Sequence, residues 1–127
     1  MPAWNEYKSM AQERGSLAHE LYVVFSEPAA PPEQMKEQLP GHLAYQADQE
    51  EAGNLVMAGP MSDLSGDMME GVGMIIYRAD SLEAARKLAE GDPMHSSGTR
   101  TFTIRRWLVN EGSISVNVKL SAQSVSL

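Results

Sequence analysis

This sequence predicts an α+β fold in which two helices lie on one face of an antiparallel sheet. Three observations predict it. Several short runs alternate apolar and polar residues with the period of a strand, and one stretch repeats Leu82, Ala85, Leu88 and Ala89 at helical spacing. Turn residues separate these runs in the order strand, helix, strand, strand, helix, strand. The 127 residues fit one ordinary domain of about 100 to 150 residues.

Taken in order, Trp4–Glu13 is a short helical segment with few apolar positions, expected as an appendage. The first strand covers residues 17–25, with Leu17, Leu21, Val23 and Phe25 on one face and Glu27-Pro28 ending it. After the connector Ala29-Ala30-Pro31-Pro32, residues 33–39 form a turn or two before Pro40. The main first helix is expected over residues 40–52, with Pro40 at its first position, Leu43 and Ala47 inward, and Gly53 after its end. Two strands follow at residues 54–61 and 71–77, joined by a loop centred on Ser65-Gly66-Asp67. The second helix starts at a Ser81 or Asp80 cap and stops at Gly91. A fourth strand covers residues 101–109, where a slip in apolar phase across Arg105-Arg106 predicts a bulge. Residues 113–120 alternate cleanly and predict an additional C-terminal strand, pairing with the fourth strand or with another chain, before a loose tail.

The βαββαβ order is ferredoxin-like. Its sheet has a second face, and Val72, Met74, Ile75 and Ile76 carry apolar side chains to both faces, so a second subunit is the expected cover. The division expected is an N-terminal extension at residues 1–16, the ferredoxin-like domain at 17–110 and a C-terminal strand and tail at 111–127.

Composition narrows the partners. Ten Lys and Arg against 17 Asp and Glu leave a formal charge of −7, which argues against nucleic acid. No apolar run is long enough for a bilayer and no secretory signal opens the chain, so a cytoplasmic protein without a membrane partner is expected. Cysteine is absent, and the three histidines lack zinc-site spacing. Asp63, Asp67 and Glu70 lack calcium-loop spacing, the serines lack a nucleophile elbow, and Gly71-Val72-Gly73 does not open a helix. The expectation is a chain without metal or cofactor.

In the expected topology three connections share one end of the sheet. They gather His42, the loop over residues 60–70, and the segment Asp92-Pro93-Met94-His95-Ser96-Ser97. At the start of a helix, His42 would face a positive dipole end that favours the neutral ring, a form able to accept a proton. Asp92, after the second helix, would need a compensating donor, and the His42 ring could supply it. Spacing alone leaves the plainer reading standing, in which Asp92 is a turn former and His42 a packing residue.

Three patterns in order then resemble one family: Gly41-His42-Leu43-Ala44-Tyr45, Ala58-Gly59-Pro60-Met61, and Ser81-Leu82-Glu83-Ala84-Ala85 leading into Gly91-Asp92-Pro93-Met94-His95. They are similar to the YciI-like (YCII-related) proteins over roughly residues 18–108. The resemblance implies a dimeric α+β barrel, similar to muconolactone isomerases, with a His–Asp pair at its proposed active site. It assigns catalysis to His42 and Asp92. Substrate contacts would come from Gly59, Pro60 and Met61 on one side and Pro93, Met94 and His95 on the other. One member of the family is a dehydrochlorinase of a chlorinated hydroxyhydroquinone, so lyase-type or isomerase-type proton abstraction from a small cyclic or aromatic metabolite is the activity implied. The alternative is a non-catalytic homodimeric module that binds a small ligand or, as an accessory, supports a neighbouring protein through its sheet edges.

Other residues carry less. His95 reads as a solvated loop histidine and His19 as a sheet or interface position. Arg100, Arg105 and Arg106 could anchor an acidic ligand or pair with surface acids. The nine methionines serve as core filler or as an adaptable pocket lining.

Overall fold

The structure, a computed structural model, describes residues 1–127. In chain order it contains α1 (Trp4–Glu13), β1 (His19–Pro28), α2 (Pro32–Glu51), β2 (Leu55–Ser62), β3 (Met69–Tyr77), α3 (Leu82–Gly91), α4 (Pro93–Ser96), β4 (Arg100–Val109), β5 (Asn117–Lys119) and β6 (Ser124–Ser126). Contacts divide the chain into two compact units, Glu20–Trp107 and a second formed by Met1–His19 with Leu108–Leu127.

The larger unit is the antiparallel sheet with its helices, in strand order β2-β3-β1-β4. That is the ferredoxin-like order, with the first and third strands central. In β1 and β3, Tyr22 lies opposite Tyr77, Val24 opposite Ile75 and Ser26 opposite Gly73, so these residues share one face. Val24, Ile75 and Tyr77 pack there against Ala89 of α3, with Leu55, Leu88, Phe102 and Ile104 around them. Each large apolar side chain buried in this way stabilises the fold by roughly 1.5 to 3 kcal/mol. On the second face Leu21, Val23 and Ile76 are also buried within the single chain.

Small residues let α3 sit close to the sheet, since Ala85 and Ala89 are fully buried. The Ser81 hydroxyl accepts a hydrogen bond from the Ala84 N–H at 3.0 Å, a cap that stabilises the helix by about 1 kcal/mol.

Four expectations are corrected here. The first long helix starts at Pro32, not Pro40: Pro32 takes the first-turn position after an extended Pro31, and Pro40 lies inside the helix. The connector and short turns read into residues 33–39 are therefore helix. Leu43 and Ala47 are exposed and stand outside the core, Leu43 at 57% along the edge of α2 nearest β2; His42, Tyr45, Gln46 and Gln49 make the inward stripe. Along β4, burial alternates from Arg100 to Leu108 without a break, so Arg106 takes an inward place, Trp107 faces out, and no bulge is needed.

The last correction concerns the C-terminal strand. In the smaller unit only Asn117–Lys119 is extended strand there, and it pairs with Ser124–Ser126, inside the segment read as tail, as a separate two-stranded hairpin. Gln123, at a positive φ of 50°, turns the chain back between them. The same unit holds α1, with Ala11 fully buried, and a hydrogen bond from the Ala18 N–H to Asn110 Oδ1 at 3.1 Å.

Candidate functional site

The site grows from the corner where α3 ends and α4 begins. Asp92 closes α3 and, in extended backbone, opens α4: its Oδ1 accepts the Met94 N–H at 3.0 Å, and Pro93 occupies the first helical position. The segment expected as loop is thus partly a single helical turn. Pro93 lies against α2 at Gly41, where an added Cβ would stand 3.5 Å from the proline ring. One turn further along α2, the Tyr45 hydroxyl donates to the Leu88 carbonyl at 2.7 Å and fills the space over Gly91, whose Cβ would come within 2.7 Å of it. These contacts fix α2 against α3 and α4.

They set His42 beside Asp92. The ring Nδ1 lies 2.8 and 2.9 Å from the two carboxylate oxygens, and Asp92 is fully buried while the His42 side chain stays 22% exposed. A carboxylate only accepts, so Nδ1 carries a proton, and in the neutral ring Nε2 is then the acceptor. The placement differs from the expected one. His42 is the eleventh of twenty residues in α2, far from the helix start, so the helix dipole does not govern it. Asp92 is the hydrogen-bond partner that orients the ring.

A second group of polar residues lies behind the same wall. The His95 Nδ1–H donates to the Ala89 carbonyl at 2.7 Å, which leaves Nε2 to accept from the Ser26 hydroxyl at 2.8 Å. The ring also packs on Phe102, with centroids 4.7 Å apart. Burial pushes the His95 imidazole below its ordinary value, against the pull of the Ala89 bond and the Asp92 charge, so the neutral ring is favoured. His95 is therefore a bonded, partly buried group and not the solvated loop residue expected. Arg100 donates from Nε to Ser26 Oγ and from Nη2 to the Ser26 carbonyl, each at 2.8 Å, and from Nη2 also to the Gly71 carbonyl. Burial lowers the Arg100 value as well, though a guanidinium keeps its charge. Burial, then the Asp92 charge, raises both the Tyr45 and Tyr77 hydroxyls, so both stay protonated.

Between α2 and strands β2 and β3 runs a cleft of about 700 Å³. Leu39, His42, Leu43 and Gln46 form its helical side, and Ser26, Met94 and Arg100 close one end. Of the sequence-predicted contacts, Gly59, Pro60 and Met94 line it, whereas Met61, Pro93 and His95 stand outside its wall. Gly59 has open space where a side chain would project. Ser26 was missed: it reads as one more strand residue, and its partners are 69 and 74 residues away. No group of three or more His, Asp or Glu residues is placed to hold a metal ion, and no helix is long and apolar enough to cross a membrane.

Comparison with known proteins agrees with this architecture. An uncharacterized protein, YjpA of Bacillus subtilis (strain 168), is 33% identical over 72 residues, which span 57% of this chain and 78% of that protein. Among solved structures, 5-chloro-2-hydroxyhydroquinone dehydrochlorinase (TftG) from Burkholderia phenoliruptrix AC1100, in complex with 2,5-dihydroxybenzoquinone, superposes with a TM-score of 0.52 at 18% identity. The match covers 68% of this chain and 92% of that one. Such a likeness speaks for the fold. The family model described as the YCII-related domain matches residues 19–108, which hold all four strands of the sheet but for Val109, both long helices of its unit and the His42–Asp92 corner, and the chain belongs to that family.

Proposed function

We propose that the cleft binds a small cyclic or aromatic metabolite and that His42, oriented by Asp92, moves a proton to or from it in a cofactor-independent lyase-type or isomerase-type step. The observation that carries this reading is the fully buried Asp92 carboxylate on His42 Nδ1, with Nε2 unpartnered on a ring that lines an apolar cleft. A base held in one tautomer, within reach of a bound ligand and partly screened from water, contributes about 10²- to 10⁴-fold to proton transfer. The fold likeness to a dehydrochlorinase of an aromatic compound is compatible with that class of reaction. Gly59 and Pro60 would floor the ligand and Met94 would close its end.

The reading includes a homodimer. Trp107, 42% exposed on the sheet face opposite Phe102 and Ile104, and Met57, which shares its face with Ile76, offer apolar surface to a second copy.

Screening cyclic and aromatic metabolites for thermal stabilisation supplies a ligand, and turnover of that ligand is then compared in wild type and His42→Gln. The variant is expected to bind but to turn over at least about 100-fold more slowly. Long-range ¹H–¹⁵N spectra of the His42 ring are expected to show the Nδ1–H tautomer in wild type and a mixture in Asp92→Asn. Equal turnover in wild type and His42→Gln would overturn the proposal.

A further inference from the structure

Arg100 is a cation at the wall of this cleft, and it makes no ion pair. Three of its donors are committed to neutral oxygens of Ser26 and Gly71. Nη1 meets only the thioether sulfur of Met35, at 3.5 Å. Sulfur is a weak acceptor and Met35 an unbranched, adaptable side chain, so this contact yields readily to a stronger acceptor. The charges acting on the guanidinium from a distance belong to Asp92 and Glu27, and Asp92 is already bonded to His42 and to the Met94 N–H.

The geometry of that end was built for the guanidinium. Pro60 pairs with Gly73 and Ser62 with Met69, so one residue of β2 faces three of β3 between those pairs. Within that bulge Gly71 takes a φ of +93°, and an added Cβ would stand 2.8 Å from the Pro28 ring. The bulge turns the Gly71 carbonyl to Arg100. Two strand carbonyls and a buried hydroxyl thus hold the arginine head in place and leave one nitrogen for a guest.

We propose that Arg100 is an anion anchor and that the ligand of the cleft carries an ionised oxygen, a carboxylate, phenolate or enolate, on an otherwise apolar body. This deepens the reading of the same cleft given above and rests on it: with such an oxygen held at Arg100, negative charge that develops as His42 removes a neighbouring proton falls beside a fixed cation. Charge-assisted hydrogen bonds in a screened site favour an anion over a neutral ligand of the same shape. Among the residues lining the cleft Arg100 is the one Lys or Arg and Glu50, on α2, the one acid, so within the cleft an ionised oxygen is favoured beside Arg100 and disfavoured beside Glu50.

The test is a matched pair of probes, benzoate and benzamide, titrated at pH 8 into the full chain and followed by amide chemical shifts. Benzoate is expected to bind at least about tenfold more tightly than benzamide, with shifts at Ser26, Met35 and Arg100. In Arg100→Gln that preference falls to about one, and in Arg100→Lys part of it remains. His42→Gln keeps the full preference, which separates this proposal from the proton-transfer one: lost turnover with retained preference touches His42 alone. Equal affinities in wild type, no binding of either probe, or a preference that survives Arg100→Gln overturns the anchor. The wild-type comparison stands even where Arg100→Gln does not fold.

Discussion

Gly71 and His95 do their work by where they hold a polar atom. Gly71 occupies backbone that a side chain would strain, at a place where a Cβ also has no room, and what it delivers is one carbonyl for Arg100. His95 ties the end of α3 to β1 through Ala89 and Ser26 while staying neutral. Because burial depresses its proton affinity, the unfolded chain binds a proton that the folded chain refuses once the pH falls below the ordinary histidine value of 6.5. The stabilisation is complete above that pH and is lost as the pH drops towards the folded value. Urea unfolding between pH 8 and pH 5 is expected to show a steeper loss of stability on acidification for wild type than for His95→Gln. Parallel slopes would contradict it.

At the scale of elements, α2 carries a residue it would be stabler without. Pro40 removes the N–H that would bond to the Lys36 carbonyl, in the interior of a 20-residue helix. Pro40→Ala is expected to raise stability by roughly 1 to 3 kcal/mol, measured from the midpoint of chemical unfolding. The same residue accounts for the misread helix start. A proline after a polar run suits a first helical turn, and only packing of the inward stripe on both sides of Pro40 decides that the helix continues through it. The strands were legible because a face buried on one side writes itself as alternation, and Leu82, Ala85, Leu88 and Ala89 announced α3 in the same way. In β4 the apolar phase misled, since Arg106 takes an inward place and Trp107 an outward one. The contact between His42 and Asp92 was legible through their neighbours in sequence. Ser26 and its bonds to His95 and Arg100 were not, because cross-strand proximity leaves no local pattern.

For the whole molecule, the proposed homodimer has a direct measure. Light scattering is expected to give twice the 13.9 kDa chain mass, and Trp107→Glu to return it towards one chain. Of the residues whose apolar pattern suggested a partner, Ile75 and Ile76 are buried without one, while Val72 and Met74 are half-buried. One residue reaches across the fold more widely than its size suggests. Asp92 ends α3, begins α4 and grips α2 through His42. A residue with three duties outlives the loss of any one of them. In a homologous sequence without the proposed reaction, the aspartate would still be required to build the corner, so Asp-Pro alone marks the architecture, and the histidine facing it marks the proposed chemistry.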